Sequence, residues 1–581
     1  MRANAWKNVG ILVGPWTTLA SMAWLAGCGG GGGSSNSPSP ANRPPNSVAQ
    51  ASATSAWSTQ TLELRGSGSN DPDGSIVSYR WAQTSGPAVA LTDANTATAT
   101  FTVPPLTDPA TLSFTLTVTD NGGLSASQSV SIPVAPDGVL FTVGLADGKP
   151  FTSDRVAVPL QLSGATRMGI AVDATHIQWS SNLQGSLGTQ ASVGTPLLVP
   201  LDTGAHVLTV SADFGVLGSV SKTFPLRVLP FQQPVPAALA SEMPGASYSM
   251  PVVMINVIPT LDGINVDAAV TGPSGNSEWQ PGTIEDLQDW IIRYVTRAKF
   301  MLEEGSKFHG YKQPGAAPQL GYRVVAIYNF YENFKPGVPD PGHPGNTYPD
   351  YFDLLDKTHA REFVEQQQVR EIWLNSYNFG TASLNESNMA SAATGDVSNS
   401  YRDNGDLPIY SNTYLLYQYN YTRSQAEAVH NHGHQIEAMM AYINQRYDGN
   451  TQLFWNDFVG WDATNHFVTG RCGATHWPLN ARQDYDYYNS TDRVMSDCED
   501  WQPAGGTRKE VSLDTWAAIP YAWPATGNVS QLEESQWYIY WMQNLPGAGN
   551  TIPYHSTTLE NWWTFVGDWD AAIATRKRLY R

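Results

Sequence analysis

Val252-Val-Met-Ile-Asn-Val-Ile258 is an apolar run interrupted only by Asn256, and its reading decides the fold of the C-terminal half of this 581-residue chain. It is too short for an ordinary core helix and too continuous for a strand with one wet face, so a strand buried on both faces is expected. Downstream the pattern repeats. Residues 283–305 form an amphipathic helix carrying Trp290, Ile291, Ile292, Val295 and Phe300, followed by the strand Tyr322-Arg-Val-Val-Ala-Ile-Tyr328. A helix across about 351–368 and the strand Val369-Arg-Glu-Ile-Trp-Leu-Asn375 come next. Hydrophobic strands alternating with helices predict an α/β domain with a mainly parallel sheet over 245–581. Ligands collect at the carboxyl ends of such strands, which nominates Asn256, Tyr328, Asn329, Glu332, Asn375, Tyr377 and Asn378 as substrate-binding residues.

Upstream the periodicity is that of short strands. Thr61-Leu-Glu-Leu-Arg65, Ile76-Val-Ser-Tyr-Arg-Trp81, Thr98-Ala-Thr-Phe-Thr-Val103 and Leu112-Ser-Phe-Thr-Leu-Thr-Val118 alternate apolar and polar residues between Gly, Pro, Asn and Asp turns. The phrase Gly68-Ser-Asn-Asp-Pro-Asp-Gly74, then Tyr79-Arg-Trp81 and Val118-Thr-Asp-Asn-Gly-Gly123, resembles the PKD family of immunoglobulin-like β-sandwiches. That resemblance implies a spacer or binding module over 48–136, without catalysis. Asp71, Asp73 and Asp120 are the residue type that holds calcium, but acidic residues in such loops are first of all turn formers. Residues 138–231 continue in the same style and predict a second sandwich, in which His176 and His206 are strand residues rather than ligands.

The N-terminus has Arg2 and Lys7 before an apolar stretch ending in Leu25-Ala-Gly-Cys28. It resembles the lipobox of bacterial lipoprotein signal peptides, which implies cleavage after residue 27, lipidation of Cys28 and a flexible Gly/Ser/Pro tether over 28–47. Gly29 follows the Cys where an inner-membrane retention signal commonly has Asp. An outer-membrane or surface location in a Gram-negative bacterium is therefore expected, with the lipid as the only membrane contact. Cys472 and Cys498 are the remaining cysteines, and in an oxidising compartment they predict one disulfide closing a loop of about 26 residues, stabilising by roughly 3 kcal/mol.

Charged residues are 14% of the chain and the formal net charge is −19. Such a surface repels phosphate backbones, so nucleic acid is excluded as a partner. No G-x-S-x-G elbow, P-loop or Rossmann fingerprint occurs in a strand-turn-helix context, which disfavours serine hydrolase, nucleotide and redox chemistry.

Chemistry concentrates instead in Glu427-Ala-Val-His-Asn-His-Gly-His-Gln-Ile-Glu437. At 3.6 residues per turn, Glu427, His430, His434 and Glu437 share a stripe of roughly 80°, whereas His432 falls with Val429, Ile436, Met439, Met440 and Ile443 on the apolar side. The polar stripe of an amphipathic helix ordinarily faces water. Gly433 argues otherwise, since it costs about 1 kcal/mol in a helix interior and implies that something approaches closely. His430, His434 and Glu437 at i, i+4 and i+7 suit a divalent metal, zinc in preference, with His476 as a further ligand. The position after the first His, where a zinc protease carries its general-base Glu, is Asn431, so that mechanism is disfavoured. If no metal binds, acid and base would come from Glu427, Glu437, Asp484 and Asp486 acting on a glycosidic bond. The pattern Gly433-His-x-x-Glu437, with Cys472-Gly-x-x-His476-x-Pro478 and Asp484-Tyr-Asp-Tyr487, is similar to a group of secreted bacterial and fungal proteins, a resemblance that implies no activity.

Two functions fit these features. One is a surface-anchored hydrolase, metal-dependent or not, acting on an extracellular polymer such as a polysaccharide. The other is a non-catalytic adhesin or glycan-binding protein.

Overall fold

The computed structural model describes residues 41–581 apart from 107, 137–138, 146–150, 154–156, 168–169, 216–218, 276–278, 309–314, 404, 450–452, 462–469, 518 and 520–529. The expected signal peptide, Cys28 and most of the tether lie outside the described residues. The protein is multidomain and rich in β-sheet, with two compact units divided between Asp137 and Gly138.

The first unit is an immunoglobulin-like sandwich. A three-stranded sheet of Gln50–Ala51, Thr61–Arg65 and Thr98–Thr102 accompanies a four-stranded sheet of Ala56–Trp57, Ser125–Ala135, Ala110–Asp120 and Ile76–Ser85. The alternation in Ala110–Asp120 explains its burial: Leu112, Phe114, Leu116 and Val118 are buried in the core with Leu64, Trp81 and Phe101. The intervening Ser113, Thr115, Thr117 and Thr119 hydroxyls pair across to Ser131, Ser129, Ser127 and Ser125 at 2.7–2.9 Å. Asp120 accepts the Gly122 and Leu124 amides at 2.8 and 2.9 Å, and Asp73 accepts the Arg43 amide, so these acids act as turn residues.

The second unit holds the other sandwich and the C-terminal region together. Residues 139–229 build a four-stranded and a five-stranded sheet around Val158, Leu160, Leu162, Ile177, Trp179, Leu208 and Val210. His176 is exposed, and buried His206 is bonded to Ser181 Oγ and the Asp202 carbonyl, each at 2.7 Å. The segment after this sandwich is folded. Gln232–Gln233 (β1) pairs with the sheet that follows, and Leu239 is fully buried.

That sheet has six strands in the order β1-β3-β2-β4-β6-β5, where β2 is Tyr248–Val257, β3 Leu320–Phe330, β4 Glu371–Ser376, β5 Ser387–Ala390 and β6 Tyr414–Asn420. The inner pairs β3–β2, β2–β4 and β4–β6 are parallel, and both edge pairs are antiparallel. Three helices pack against one another beside it: α1 (Ile284–Gly305), α2 (Gln425–Tyr447) and α3 (Ser530–Gln543). Helix α1 starts at a reciprocal capping box between Thr283 and Asp286 and buries Leu287, Trp290, Ile291, Tyr294, Val295 and Met301. The helix expected over 351–368 is two short ones, Tyr351–Lys357 and Ala360–Gln366, because His359 adopts a left-handed conformation with φ 53°. Among the described residues, no helix is long and apolar enough to cross a membrane.

Candidate metal centre

Helix α2 runs straight off strand β6 and is buried on nearly every side. Its apolar stripe of Val429, Ile436, Met439, Met440 and Ile443 joins the core, as its periodicity predicts. The opposite stripe is covered by the segment from Cys472 to Tyr487. Cys472 and Gly473 donate their amides to the Phe458 and Val459 carbonyls at 2.9 and 3.1 Å. The Trp541 indole N–H, from α3, donates to the Gly473 carbonyl at 3.0 Å. A Cβ built on Gly433 would meet Thr475 Oγ1 at 2.7 Å, which explains the glycine inside the helix.

Tight packing at Gly433 brings His476 over His430 and His434. The three Nε2 atoms lie 2.7 Å (His430–His476), 2.9 Å (His434–His476) and 3.1 Å (His430–His434) apart. The His430 and His476 rings are 8° from parallel, and His434 stands nearly perpendicular to both.

Each outer nitrogen faces an oxygen. His434 Nδ1 lies 2.8 Å from Glu437 Oε2, His476 Nδ1 3.2 Å from Asp484 Oδ1, and His430 Nδ1 3.3 Å from Asn431 Oδ1, with Glu386 Oε1 at 4.0 Å. In the neutral ring, a Nδ1 facing an acceptor carries the hydrogen, which leaves the lone pair on Nε2. Three lone pairs converging in this way repel one another unless a cation sits between them. A zinc ion held by His430, His434 and His476 would keep one further coordination position for water.

Electrostatics follow from this geometry. Burial, then the neighbouring His434, pushes His430 down to about 3 and His476 down to about 4, so both rings are neutral at physiological pH. For His434 burial acts in the same direction, but the Glu437 carboxylate outweighs it and the net shift is upward. Glu437 moves the opposite way: burial opposes its ionisation, yet His434 and the Thr475 amide and hydroxyl hold it charged.

The structure therefore redistributes the nominated residues. Glu437, expected as a ligand or acid, turns Oε2 to His434 and accepts the Thr475 amide and hydroxyl on Oε1, both at 2.8 Å. It orients the His434 ring. Asp484 does the same for His476. Glu427 is ion-paired to Arg423 at 2.6 Å, and Asp486 accepts the Arg482 amide at 2.9 Å within its own turn. Asn431 is buried and donates to the Gln418 carbonyl of β6 at 3.0 Å, a structural role. His432 stacks on Tyr417 with ring centroids 3.7 Å apart and bonds Tyr419 Oη at 2.7 Å.

The strand-end nominations are mostly corrected. Asn256, Asn329 and Asn375 sit side by side in register on three neighbouring strands. Asn256 Nδ2 donates to Asn329 Oδ1 and Asn375 Nδ2 to Asn256 Oδ1, each at 2.9 Å, so these buried amides bond each other instead of lining a pocket. Tyr328 packs on Phe231 and Phe363, and Tyr377 stacks on Phe334. Glu332 is exposed. Asn378, one residue beyond Tyr377, does line an open cavity together with Glu386.

Sequence reasoning missed Glu386, Thr475 and Tyr485. Tyr485, at φ 61°, lays its ring on His476 with centroids 3.9 Å apart, and burial followed by the carboxylates of Asp484, Glu386 and Glu427 pushes its hydroxyl up to about 12. The Asp484-Tyr-Asp-Tyr487 run was a signal for Tyr485; Glu386 had none. The expected disulfide is also absent. Cys472 and Cys498 are free, buried thiols that interact with each other, and the residues preceding them are joined by Arg471 Nη1 to Asp497 Oδ2 at 2.7 Å.

Residues 50–134 match a family model for the PKD domain, and this region is a PKD domain. Among solved structures, the PKD domain from KIAA 1837 protein is 36% identical over 15% of this chain and 85% of its own, with a TM-score of 0.13. The PKD1 domain of Vibrio cholerae metalloprotease PrtV is 27% identical over 16% of this chain and 99% of its own, also with a TM-score of 0.13. The PKD1 domain of Vibrio anguillarum Epp is 20% identical over 16% and 98%, again at 0.13. No curated protein matches the chain.

Proposed function

We propose that residues 245–581 form an α/β domain that is a metal-dependent hydrolase, presented outside the cell by a lipid on Cys28 and acting on an extracellular polymer, a polysaccharide in preference. The observation that carries this reading is the convergence of three Nε2 lone pairs within 3.1 Å, each backed by an oxygen on its Nδ1. Neutral imidazoles suit a borderline cation such as zinc. Three protein ligands and an open position are the arrangement of a catalytic rather than a structural site. A bound zinc ion supplies an acidified water and a Lewis acid.

The protein's own groups do the rest. His430, His434 and His476 hold the donor triangle, and Glu437 and Asp484 fix two of the rings and their tautomers. Side-chain exposure rises from 7% at His430 to 14% at His434 and 22% at His476, so the site opens on the His476 side. Glu386, 4.0 Å from His430 Nδ1 with a side chain 33% exposed, is a carboxylate that could hold or move a proton beside the cluster. Tyr485 keeps its phenolic hydrogen at neutral pH and can donate it to a developing oxyanion.

Metal analysis of the purified protein tests this directly. One zinc per chain is expected in the wild type and none in His434→Ala, with hydrolysis of a polysaccharide panel lost to chelator and restored by added zinc. A substoichiometric ion in zinc-supplemented protein would overturn the reading.

A further inference from the structure

Beside the histidines lies a cavity of 510 Å³ lined by twelve residues, among them Asp340, Tyr348, Asn378, Glu386, Asn399 and Tyr401. Its size is that of a small-ligand site, about 300 to 1,000 Å³. Its chemistry is unusual for one, because every lining side chain except Leu384 carries a hydrogen-bonding group.

The lining decides what can enter. It contains no Lys or Arg, while Asp340 and Glu386 are both carboxylates, so phosphate, carboxylate and sulfate ligands would meet like charge. Asp340 stays ionised: burial opposes this, but the Ser383 hydroxyl at 2.6 Å, His343 Nδ1 at 2.8 Å and the Gly342 amide at 2.8 Å hold it down to about 2. An apolar ligand would strip water from these groups without replacing their hydrogen bonds. A cation finds little to hold, because both Asp340 oxygens are already engaged by Gly342, His343 and Ser383, which leaves a neutral molecule rich in hydroxyls. Tyr401, 55% exposed at the rim, supplies a face for it, and the buried Tyr348 ring lies 6.3 Å from it at 55°. The Tyr401 hydroxyl is seated over Gly342, where a Cβ would come within 2.0 Å of it, so the ring is held in place.

Glu386 belongs to both places. It lines this cavity, accepts from Asn399 Nδ2, and sits 4.0 Å from His430 Nδ1. We infer that the cavity from Asp340 to Tyr401 is a binding subsite for an uncharged glycan chain, reaching the histidine cluster across Glu386. Binding rests on the cavity alone; its role as the substrate subsite rests on the hydrolase reading.

Affinity electrophoresis and calorimetry on the purified, detergent-solubilised mature protein test it with four probes: cellohexaose, xylohexaose, mannohexaose and, as a charged comparator, hexagalacturonate. At least one neutral hexaose is expected to bind wild type and the metal-site variant His434→Ala within about twofold of each other. Tyr401→Ala and Asn378→Ala, both at exposed positions, are expected to weaken that binding at least tenfold with unchanged circular dichroism. Binding of none of the neutral hexaoses, preference for hexagalacturonate, loss in His434→Ala, or survival in both cavity variants would overturn the inference. Cavity-dependent binding without hydrolysis in zinc-loaded protein would sink only the hydrolase.

Discussion

Gly433 and Thr475 are in van der Waals contact across the interface that assembles the histidine cluster: a Cβ on the glycine would stand 2.7 Å from Thr475 Oγ1 and 3.0 Å from Thr475 Cγ2. Thr475 precedes His476 and also donates twice to Glu437, so one contact sets the distance between the helix and its third histidine.

Gly433→Ala is therefore expected to weaken metal binding by pushing the Cys472–His476 segment outward, although alanine is the better helix former by about 1 kcal/mol. Over-packing at such a site costs about 1 to 3 kcal/mol. Combining it with Thr475→Ala removes the clash together with one bond to Glu437. The two changes should then be less damaging together than their sum, read by zinc affinity and urea denaturation. Strict additivity would mean the contact does not set the geometry.

Glu437→Gln keeps the shape but replaces a carboxylate that fixes the His434 tautomer. A fall in zinc affinity of about 10 to 100-fold is expected, the usual cost of losing an orienting partner. His432→Ala, on the far side of the helix, is expected to lower stability while leaving zinc stoichiometry at one. Equal affinities in Glu437→Gln and wild type, measured by competition with a chromogenic chelator, would show that Glu437 does not orient the ligand.

Glu371 gives the clearest pH signature. It is fully buried in the sheet, accepting Tyr322 Oη at 3.2 Å and Trp373 Nε1 at 2.8 Å, and burial pushes its carboxyl up to about 8. The folded state therefore holds a proton that the unfolded chain releases near 4.5. Stability from this group is complete below about 4.5 and is lost as pH rises toward 8, with a limiting slope of about 1.4 kcal/mol per pH unit. Urea denaturation of wild type and Glu371→Gln between pH 5 and 8 should show the steeper decline in wild type. Parallel profiles would refute it.

Cys472 and Cys498 are expected to give two titratable thiols after denaturation of protein kept reduced. A mild oxidant should remove both together, as an intramolecular bond, because the two groups already interact in the folded state. Monomer that retains both thiols after oxidation, or that loses only one, would contradict this.

Much of this was legible beforehand because local periodicity reports burial. The run at 252–258 lies almost wholly inside β2, and the alternation at Leu112–Val118 gave the inward face of its strand, since a side chain's direction follows from its place in the repeat. Residues 425–447 form the helix the pattern called for, with His430 and His434 on one face. The same sequence could not say that this face is covered, because that depends on a segment more than forty residues away in sequence. Nor could it separate ligand from orienting group: Glu437 has ligand spacing on the helix, and only the position of Thr475 shows where its carboxylate turns. The asparagines at the strand ends were misread for a related reason. Their positions obey the rule for pocket residues, but parallel register sets all three amides in one row, where they bond one another. Sequence determined which side chains share a face. Tertiary structure decided what that face meets, since long-range register and loop packing are properties of pairs of segments and leave no local period to read.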